Sequence, residues 1–460
     1  KNKMRPLETL SLFLLFISLL FLFFDRERTY FLMLLLLTIV ISILQYFIEG
    51  LRWQLYIFIY FLPAIYICHI KQKNHINSII KTFFSFWFLL ALVVPYVIPV
   101  FSLPSPQGKD SVGTETFHWV DSSRLEWFTE EKSNDYREVM AQIWYPGTSH
   151  QNKKVEPYMD FIKLRSKTIA AAGNLPSFFP SHLNLVKTNS YLEIPCKNKK
   201  GGLPTIIFSH GITGSRHLHQ ALFEHLSSQG YVVVALDHSY DCNLTIFPDG
   251  RIADYRSEIT GHPDSIKIRN QQINTRTKDI IFVLNQITKI HHGDLKSKLN
   301  GKLNLEKIAV GGHSYGGATA IHSAKTDERI KTCFILDGWI NPVPKTTIKR
   351  GLQKPILSMG RPSWEDSDYP DNYNLLNQLF LNSSAPNYNI VIKNTLHLDY
   401  TDIPLYSPII KYVMDVGDLP PSTSHKLINN LIFTFLESHL LDKSIEDYNT
   451  HLNNKLVTRM

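Results

Sequence analysis

Cysteine is scarce in this chain, and so is concentrated charge. Four cysteines occur in 460 residues, at positions 68, 196, 242 and 333, with no C-x-x-C spacing. That pattern points to neither a thiolate zinc site nor a disulfide framework. The formal net charge of +8 is modest for the length. No basic cluster is interleaved with aromatic residues, which argues against nucleic acid as a partner. Scattered lysines of this kind serve for solvation and for mild attraction to an acidic membrane surface. No internal repeat or low-complexity tract competes with a globular reading.

Asp, Glu, Lys and Arg are missing altogether from four long apolar runs, Thr9–Phe24, Thr29–Ile48, Trp53–Ile70 and Thr82–Ser102. Each is near the roughly 20 residues a helix needs to cross about 30 Å of hydrocarbon. One such run is ordinary for a buried core helix, and the first alone would pass for a signal peptide. Four in series, separated by short charged hinges, predict an all-α, multi-pass membrane region of about four transmembrane helices over residues 1–103. Pro95 and Pro99 are placed to kink or end the fourth helix. Pro104-Ser105-Pro106-Gln107-Gly108 reads as the linker into a second domain over residues 104–460.

An even number of spans puts that second domain on the side of the N-terminus. Lys1, Lys3, Arg5, Arg52 and Lys109 lie on that side, against Arg26, Arg28, Lys71, Lys73 and Lys81 on the other. The orientation rule counts these residues, and they tie. The chain opens on lysine, so its start either precedes the sequence or is Met4. A start at Met4 removes two charges and tips the second domain to the extracytoplasmic side of a cell membrane.

From about Val112 short β-type runs alternate with helical ones. Thr114–Val120 and Glu138–Tyr145 read as an initial antiparallel pair. Thr205–Phe208, Tyr231–Leu236, Ile308–Val310, Thr332–Leu336, Pro355–Met359 and Tyr388–Ile392 read as later strands. His217–Ser228, Asp264–Ile290, Gly317–Lys325 and Ser424–Leu441 read as helices. This alternation predicts an α/β domain with a mostly parallel sheet covered on both faces.

Gly312-His313-Ser314-Tyr315-Gly316-Gly317 follows one of those strands and opens into Ala318-Thr319-Ala320-Ile321, a helix start. The letters G-x-S-x-G are weak alone. Strand, tight turn and helix supply the context in which a serine hydroxyl is held exposed at the top of a sheet. Ligands of such sheets bind beyond the carboxyl ends of the strands. After the first parallel strand comes Ser209-His210-Gly211-Ile212-Thr213-Gly214, whose glycines permit a turn that aims an amide at a developing oxyanion. The amide of Tyr315, next after the serine, is the natural second donor. His210 precedes the serine in the chain and is read as making a local turn hydrogen bond.

A serine hydroxyl needs a histidine to take its proton and a carboxylate to hold that histidine in the right tautomer. The chain order serine, acid, histidine leaves His322, His397, His425, His439 and His451. His322 lies in the helix behind the serine, and the last three lie in or after the terminal helix. His397 follows the last strand in the loop Asn394-Thr395-Leu396-His397-Leu398-Asp399, where it can fold back over the sheet. For the acid, Asp337 emerges where Cys333–Leu336 gives way to Gly338-Trp339. Asp366 and Asp368 follow the next strand and compete with it, although Trp364-Glu365-Asp366-Ser367-Asp368 has the composition of a solvated loop.

From roughly Gly108 to Leu441 the chain resembles the platelet-activating-factor acetylhydrolases of the secreted and intracellular type II, α/β-hydrolase kind, and their bacterial relatives. The matching pieces are Gln142-Ile143-Trp144-Tyr145-Pro146, Phe208-Ser209-His210-Gly211, Gly230–Ala235 running into Asp237-His238, Gly312–Gly317, Leu336-Asp337-Gly338-Trp339, and His397 with Asp402 five residues on. The resemblance implies an α/β-hydrolase fold and a triad acid from the earlier strand end, which favours Asp337. It implies backbone oxyanion donors at Ile212 and Tyr315, and a calcium-independent reaction that needs neither metal nor cofactor. Secreted members lack four preceding spans, so physiological substrate and compartment do not carry over. Pro157–Leu183, with Leu175-Pro176-Ser177-Phe178-Phe179-Pro180, falls where the family places an insertion near the site entrance. It reads equally as a lid, a membrane-touching loop or a packed cover without lipid contact.

The expectation is a membrane-embedded serine esterase of the phospholipase A2 type. It would cleave a short or oxidised acyl chain from a phospholipid or related lipid ester. A general carboxylesterase or polyester hydrolase with the same triad is the nearest alternative. A non-catalytic membrane protein with a hydrolase-like binding domain is the other, and the intact serine, histidine and aspartate argue against it.

Overall fold

The computed structural model describes residues 4–24, 27–71, 76–129, 133–148, 153–257 and 264–460. Lys1, Lys3, Arg26 and Lys73, counted above for orientation, lie outside the described residues. The chain divides into two compact units. One comprises Lys1–Ser102, Pro157–Lys187 and Leu405–Ile410, and the other Leu103–Glu156, Thr188–Pro404 and Lys411–Met460.

The first unit holds four helices long and apolar enough to cross a membrane. They are α1 (Pro6–Phe23), α2 (Arg28–Glu49), α3 (Tyr56–Lys71, entered through a 3-10 turn at Trp53–Leu55) and α4 (Ser78–Val97). Helix α4 begins ahead of its apolar run because Asn77 caps it, accepting a bond from Ile80 N at 2.9 Å. Such a cap satisfies a donor that the helix itself leaves orphaned. Charges at the start of α1, the end of α2 and just before α3 pair with one another. Glu8 accepts from Arg52 Nε and Nη2 at 2.8 and 2.7 Å and pairs with Arg5, while Arg52 Nη1 donates to Ile98 O at 2.7 Å. Glu8 and Arg52 are both buried, where an unpaired charge would cost several kcal/mol. The segment expected as a lid forms α5 (Ile162–Ala172) and a 3-10 turn at Phe179–Leu185.

The second unit is built on a mixed sheet with helices on both faces. Its strands are β1 (Ser111–Leu125), β2 (Tyr136–Gly147), β3 (Val155–Pro157), β4 (Lys187–Leu192), β5 (Leu203–Ser209), β6 (Val232–His238), β9 (Leu303–His313), β10 (Ile330–Leu336), β11 (Ile356–Gly360), β12 (Asn387–Ile392) and β13 (Val457–Arg459). A separate hairpin is formed by β7 (Leu244–Ile246) and β8 (Ile252–Asp254). The sheet order is β13-β12-β11-β10-β9-β5-β6-β2-β1-β4-β3. The six strands from β12 to β6 run parallel, whereas β1 and β2 pair antiparallel, as do β2 with β6 and β12 with β13.

Alternate strand residues point to opposite faces, and each face has its own core. Ile207, Val234, Val310 and Ile335 pack with α7 (Ser265–His292) and α8 (Tyr315–Thr326). Ile206, Phe208, Val233 and Phe334 pack with α6 (Gln220–Ser228) and with the C-terminal helices at Pro421–His439 and Glu446–Leu452. This is the expected α/β-hydrolase layering, and the chain also has the expected N-terminal region with four apolar helices. The short edge strands β3 and β13, and β4 beside β3, were not foreseen, because three to six residues carry little period of their own.

Candidate active site

Strand β9 ends at His313 and α8 starts at Tyr315, which leaves Ser314 alone in the turn with φ 56° and ψ −122°. This backbone is strained for a serine, at about 1–3 kcal/mol, and persists only where surroundings enforce it. Ser314 N donates to Leu336 O at 3.0 Å, and Ser314 O accepts from Gly317 N at 2.9 Å and Trp339 N at 3.0 Å. The flanking glycines are required by contact: a Cβ on Gly312 would fall on Gly316 O, and one on Gly316 would fall on Ser209 O. Ser314 is half-buried in an otherwise buried turn.

Asp337 follows β10, the neighbouring strand, again with positive φ, at 40°. Its carboxylate is buried and fully occupied. Oδ2 accepts from His397 Nδ1 at 2.5 Å and lies 3.3 Å from Arg361 Nε, while Oδ1 accepts from Arg361 N at 3.0 Å and Trp364 Nε1 at 3.2 Å. Burial pushes the Asp337 carboxyl up, but the His397 bond, the His397 charge and then Arg361 outweigh it and hold it below the ordinary value. Asp366 and Asp368, the competing acids, are exposed. The structure therefore brings Asp337 to His397.

His397 opens a 3-10 turn after β12. The loop is stapled on both sides: Thr395 Oγ1 donates to Ile392 O at 2.7 Å, and Asp399 Oδ2 accepts from Leu396 N at 2.8 Å and Gly417 N at 2.6 Å. His313, next to the serine, donates from Nε2 to His397 O at 3.0 Å, and the two rings lie 4.6 Å apart. With Nδ1 donating to Asp337, Nε2 of His397 is left as the basic nitrogen. Among the described residues no hydrogen bond joins Ser314 Oγ to that ring; bonds of this kind are often long without substrate. The remaining histidines are engaged elsewhere. His322 bonds to Thr347 Oγ1, His425 to Pro421 O and His439 to Tyr388 OH, while His451 lies in the terminal helix Glu446–Leu452.

The turn after β5 lies against the serine, since a Cβ on Gly211 would come 3.0 Å from Ser314 Cβ. Ile212 sits in that turn, and Tyr315 is the first residue of α8, where a helix leaves its N–H groups without internal acceptors. His210 makes its local bond, Nδ1 to Gly211 O at 2.6 Å, and its Nε2 accepts from His238 N at 3.2 Å.

Sequence reading missed two groups. Arg361 and Trp364 clamp Asp337, with the guanidinium 4.1 Å from the indole centroid. Trp364 lies within a stretch whose charges suggested solvent, yet it is buried. The second group is a buried row of Ser209, His238 and Asp279. Asp279 also takes bonds from Arg137 Nε and Nη2 at 3.1 and 2.6 Å and from Arg124 Nη2 at 2.9 Å. One donor cluster, His210, Asp237 and Cys242, has metal-like spacing with its ligand atoms within 4.8 Å. Its donors are already used: Asp237 pairs with Arg216, Cys242 Sγ meets Thr245 Oγ1, and both His210 nitrogens are bonded. The Arg216 charge opposes a cation there.

The profile of the family described as platelet-activating factor acetylhydrolase, isoform II, matches residues 102–456. The platelet-activating factor acetylhydrolase of Canis lupus familiaris is 27% identical over 344 residues, covering 69% of this chain and 76% of that protein. A probable 1-alkyl-2-acetylglycerophosphocholine esterase of Arthroderma benhamiae is 25% identical, covering 77% of this chain and 92% of its own length. Among solved structures, a ferulic acid esterase from Streptomyces cinnamoneus superposes with a TM-score of 0.63 over 79% of this chain and 100% of that one. At 23% identity, that likeness speaks for the fold.

Proposed function

From the premise that the chain belongs to the platelet-activating factor acetylhydrolase isoform II family and is a carboxylic ester hydrolase, we propose that it is a membrane-anchored phospholipase A2-type serine esterase that removes short or oxidised sn-2 acyl chains. The observation that carries the catalytic assignment is the 2.5 Å bond from His397 Nδ1 to buried Asp337, made beside a serine in strained backbone.

In this reading His397 Nε2 takes the Ser314 proton as Oγ attacks the acyl carbonyl. The Ile212 and Tyr315 amides receive the oxyanion. His397 then returns the proton to the departing lysophospholipid oxygen, and a water repeats the sequence to free the acid. Asp337 holds the Nδ1–H tautomer and stabilises the imidazolium, and Arg361 keeps Asp337 ionised while it does so. No step calls on a metal ion.

The four apolar helices support anchoring as a multi-pass region. Anchoring suits an amphiphilic substrate. Each buried methylene holds a lipid in the bilayer by about 0.8 kcal/mol, so a short or polar-ended chain leaves far more easily. Hydrolysis of a matched series of sn-2 phospholipids by the full chain tests this. Rates should fall steeply from acetyl and oxidised chains to palmitoyl. Equal rates along the series would indicate an ordinary lipase, and cleavage of nitrophenyl esters alone would indicate a general carboxylesterase.

A further inference from the structure

The first unit carries a cavity that the proposed reaction does not use. It is a groove of about 950 Å³ bordered by α3, α4 and the stretch from α5 to the 3-10 turn at Phe179–Leu185. That volume is near the top of the range of about 300–1,000 Å³ usual for ligand sites. One wall is aromatic. Tyr56, Tyr60, Phe83 and Phe86 line it and remain exposed, with Tyr60 at 67%. Its lining also includes the polar side chains of Lys163, Ser181, His182 and Asn184.

The walls are fixed to each other. Trp53 Nε1 donates to Phe179 O at 3.0 Å and its ring packs at 5.2 Å on both Phe178 and Phe179, while Trp87 Nε1 donates to Ile57 O at 2.9 Å and joins α4 to α3. His182 donates from Nδ1 to Phe179 O at 3.0 Å, which leaves Nε2 as an acceptor. Helix α5 contains no acidic residue. Its Arg165 turns in to Asp160, whereas Lys163 and Lys167 are exposed. Four residues apart, these two share one helix face. An exposed aromatic trough with Lys163 in its lining and Lys167 one turn further along α5, neither of them ion-paired among the described residues, complements an apolar chain with an anionic head.

We infer that this groove binds a phospholipid of the surrounding bilayer, with one acyl chain along Tyr56, Tyr60, Phe83 and Phe86 and the phosphate at Lys163 and Lys167. The inference rests on the membrane-spanning reading of α3 and α4 and is independent of the catalytic assignment.

The test uses the full chain in phosphatidylcholine–phosphatidylglycerol vesicles, a diazirine-bearing ether phosphatidylglycerol, and adduct mapping by mass spectrometry. The ether linkage leaves no ester to cleave. Met33, Leu36 and Ile43 on α2, all exposed, report contact with bulk lipid. Residues 83–90 and 178–184 should be labelled about fivefold or more above α2, and unlabelled ether lipid should remove the excess. Lys163→Glu with Lys167→Glu should lower it about fivefold or more, to the level of α2, because the basic residues that attract an anionic head are reversed in charge, with α2 labelling unchanged. Equal labelling of groove and α2 would overturn the site while leaving the membrane reading intact. Loss of label from α2 and groove alike would overturn both, and an excess that survives the double charge reversal would overturn the phosphate contact and with it the proposal.

Discussion

Ser209, His238 and Asp279 form a complete hydrogen-bonded row, Ser209 Oγ to His238 Nε2 at 2.9 Å and His238 Nδ1 to Asp279 Oδ2 at 2.9 Å. By bonding pattern this row looks more like a hydrolytic triad than Ser314, His397 and Asp337, where only the histidine–aspartate bond is made. The surroundings reverse that impression. All three members of the first row are 0% exposed, and Ser209 ends a strand in register with its neighbours. Ser314 is half-buried on strained backbone, and the His397 side chain is 19% exposed. Asp279 is paired with Arg137 and Arg124, so its row is an ion-paired buried brace, tied to the turn at residues 210–214 by the bond from His238 N to His210 Nε2. Access and backbone strain separate the two constellations, and the residue types alone do not.

The comparison is broken first at the serines. Ser314→Ala should lower turnover by about 10⁴ to 10⁶ while the fold is kept, measured on an acetyl-bearing phospholipid. Retention of more than a tenth of the activity in folded protein would remove Ser314 from the mechanism. Next come the acids. Asp337→Asn should cost about 10⁴ in turnover, because the amide can no longer hold the His397 Nδ1–H tautomer, and the double change Asp366→Asn with Asp368→Asn should stay close to wild type. The reverse pattern would move the acid to the later strand end.

Asp279→Asn sharpens the contrast from the other side. Removing one partner of a buried charge network costs about 3–5 kcal/mol, so the midpoint of unfolding should drop while the folded fraction keeps its turnover. A stable Asp279→Asn protein without activity would assign catalysis to the brace.

Acid should act on the same group. Burial pushes His238 down to about 4, and also His210 to about 3 and His225 to about 4. The unfolded chain binds these protons near pH 6.5, well above the folded values. Stability is therefore full above about 6.5 and is lost as pH falls toward 4, by roughly 2 kcal/mol at pH 5 for His238 alone. Thermal midpoints that rise between pH 7 and pH 5 would contradict a buried neutral histidine row.

Legibility in the sequence followed how local each constraint is. Gly312, Ser314 and Gly316 were readable because the turn's backbone demands them within five residues. Asp337 and His397 were legible as candidates from their places after strands, although preferring Asp337 to Asp366 rested on the family resemblance. Arg361 and Trp364 were not readable, because the chain must fold back over the strand ends before they reach Asp337. The His238–Asp279 pair, 41 residues apart, left no periodic trace. Helix α4 shifted against its apolar run because a polar residue, Asn77, sets its start.

The most direct test is site mapping with a fluorophosphonate, which reacts with an accessible serine activated by a neighbouring histidine. Treatment of the full chain should give one stoichiometric adduct on Ser314, none on Ser209, and none at all in the Asp337→Asn variant over the same interval. An adduct on Ser209, or no adduct on any serine, would contradict the account.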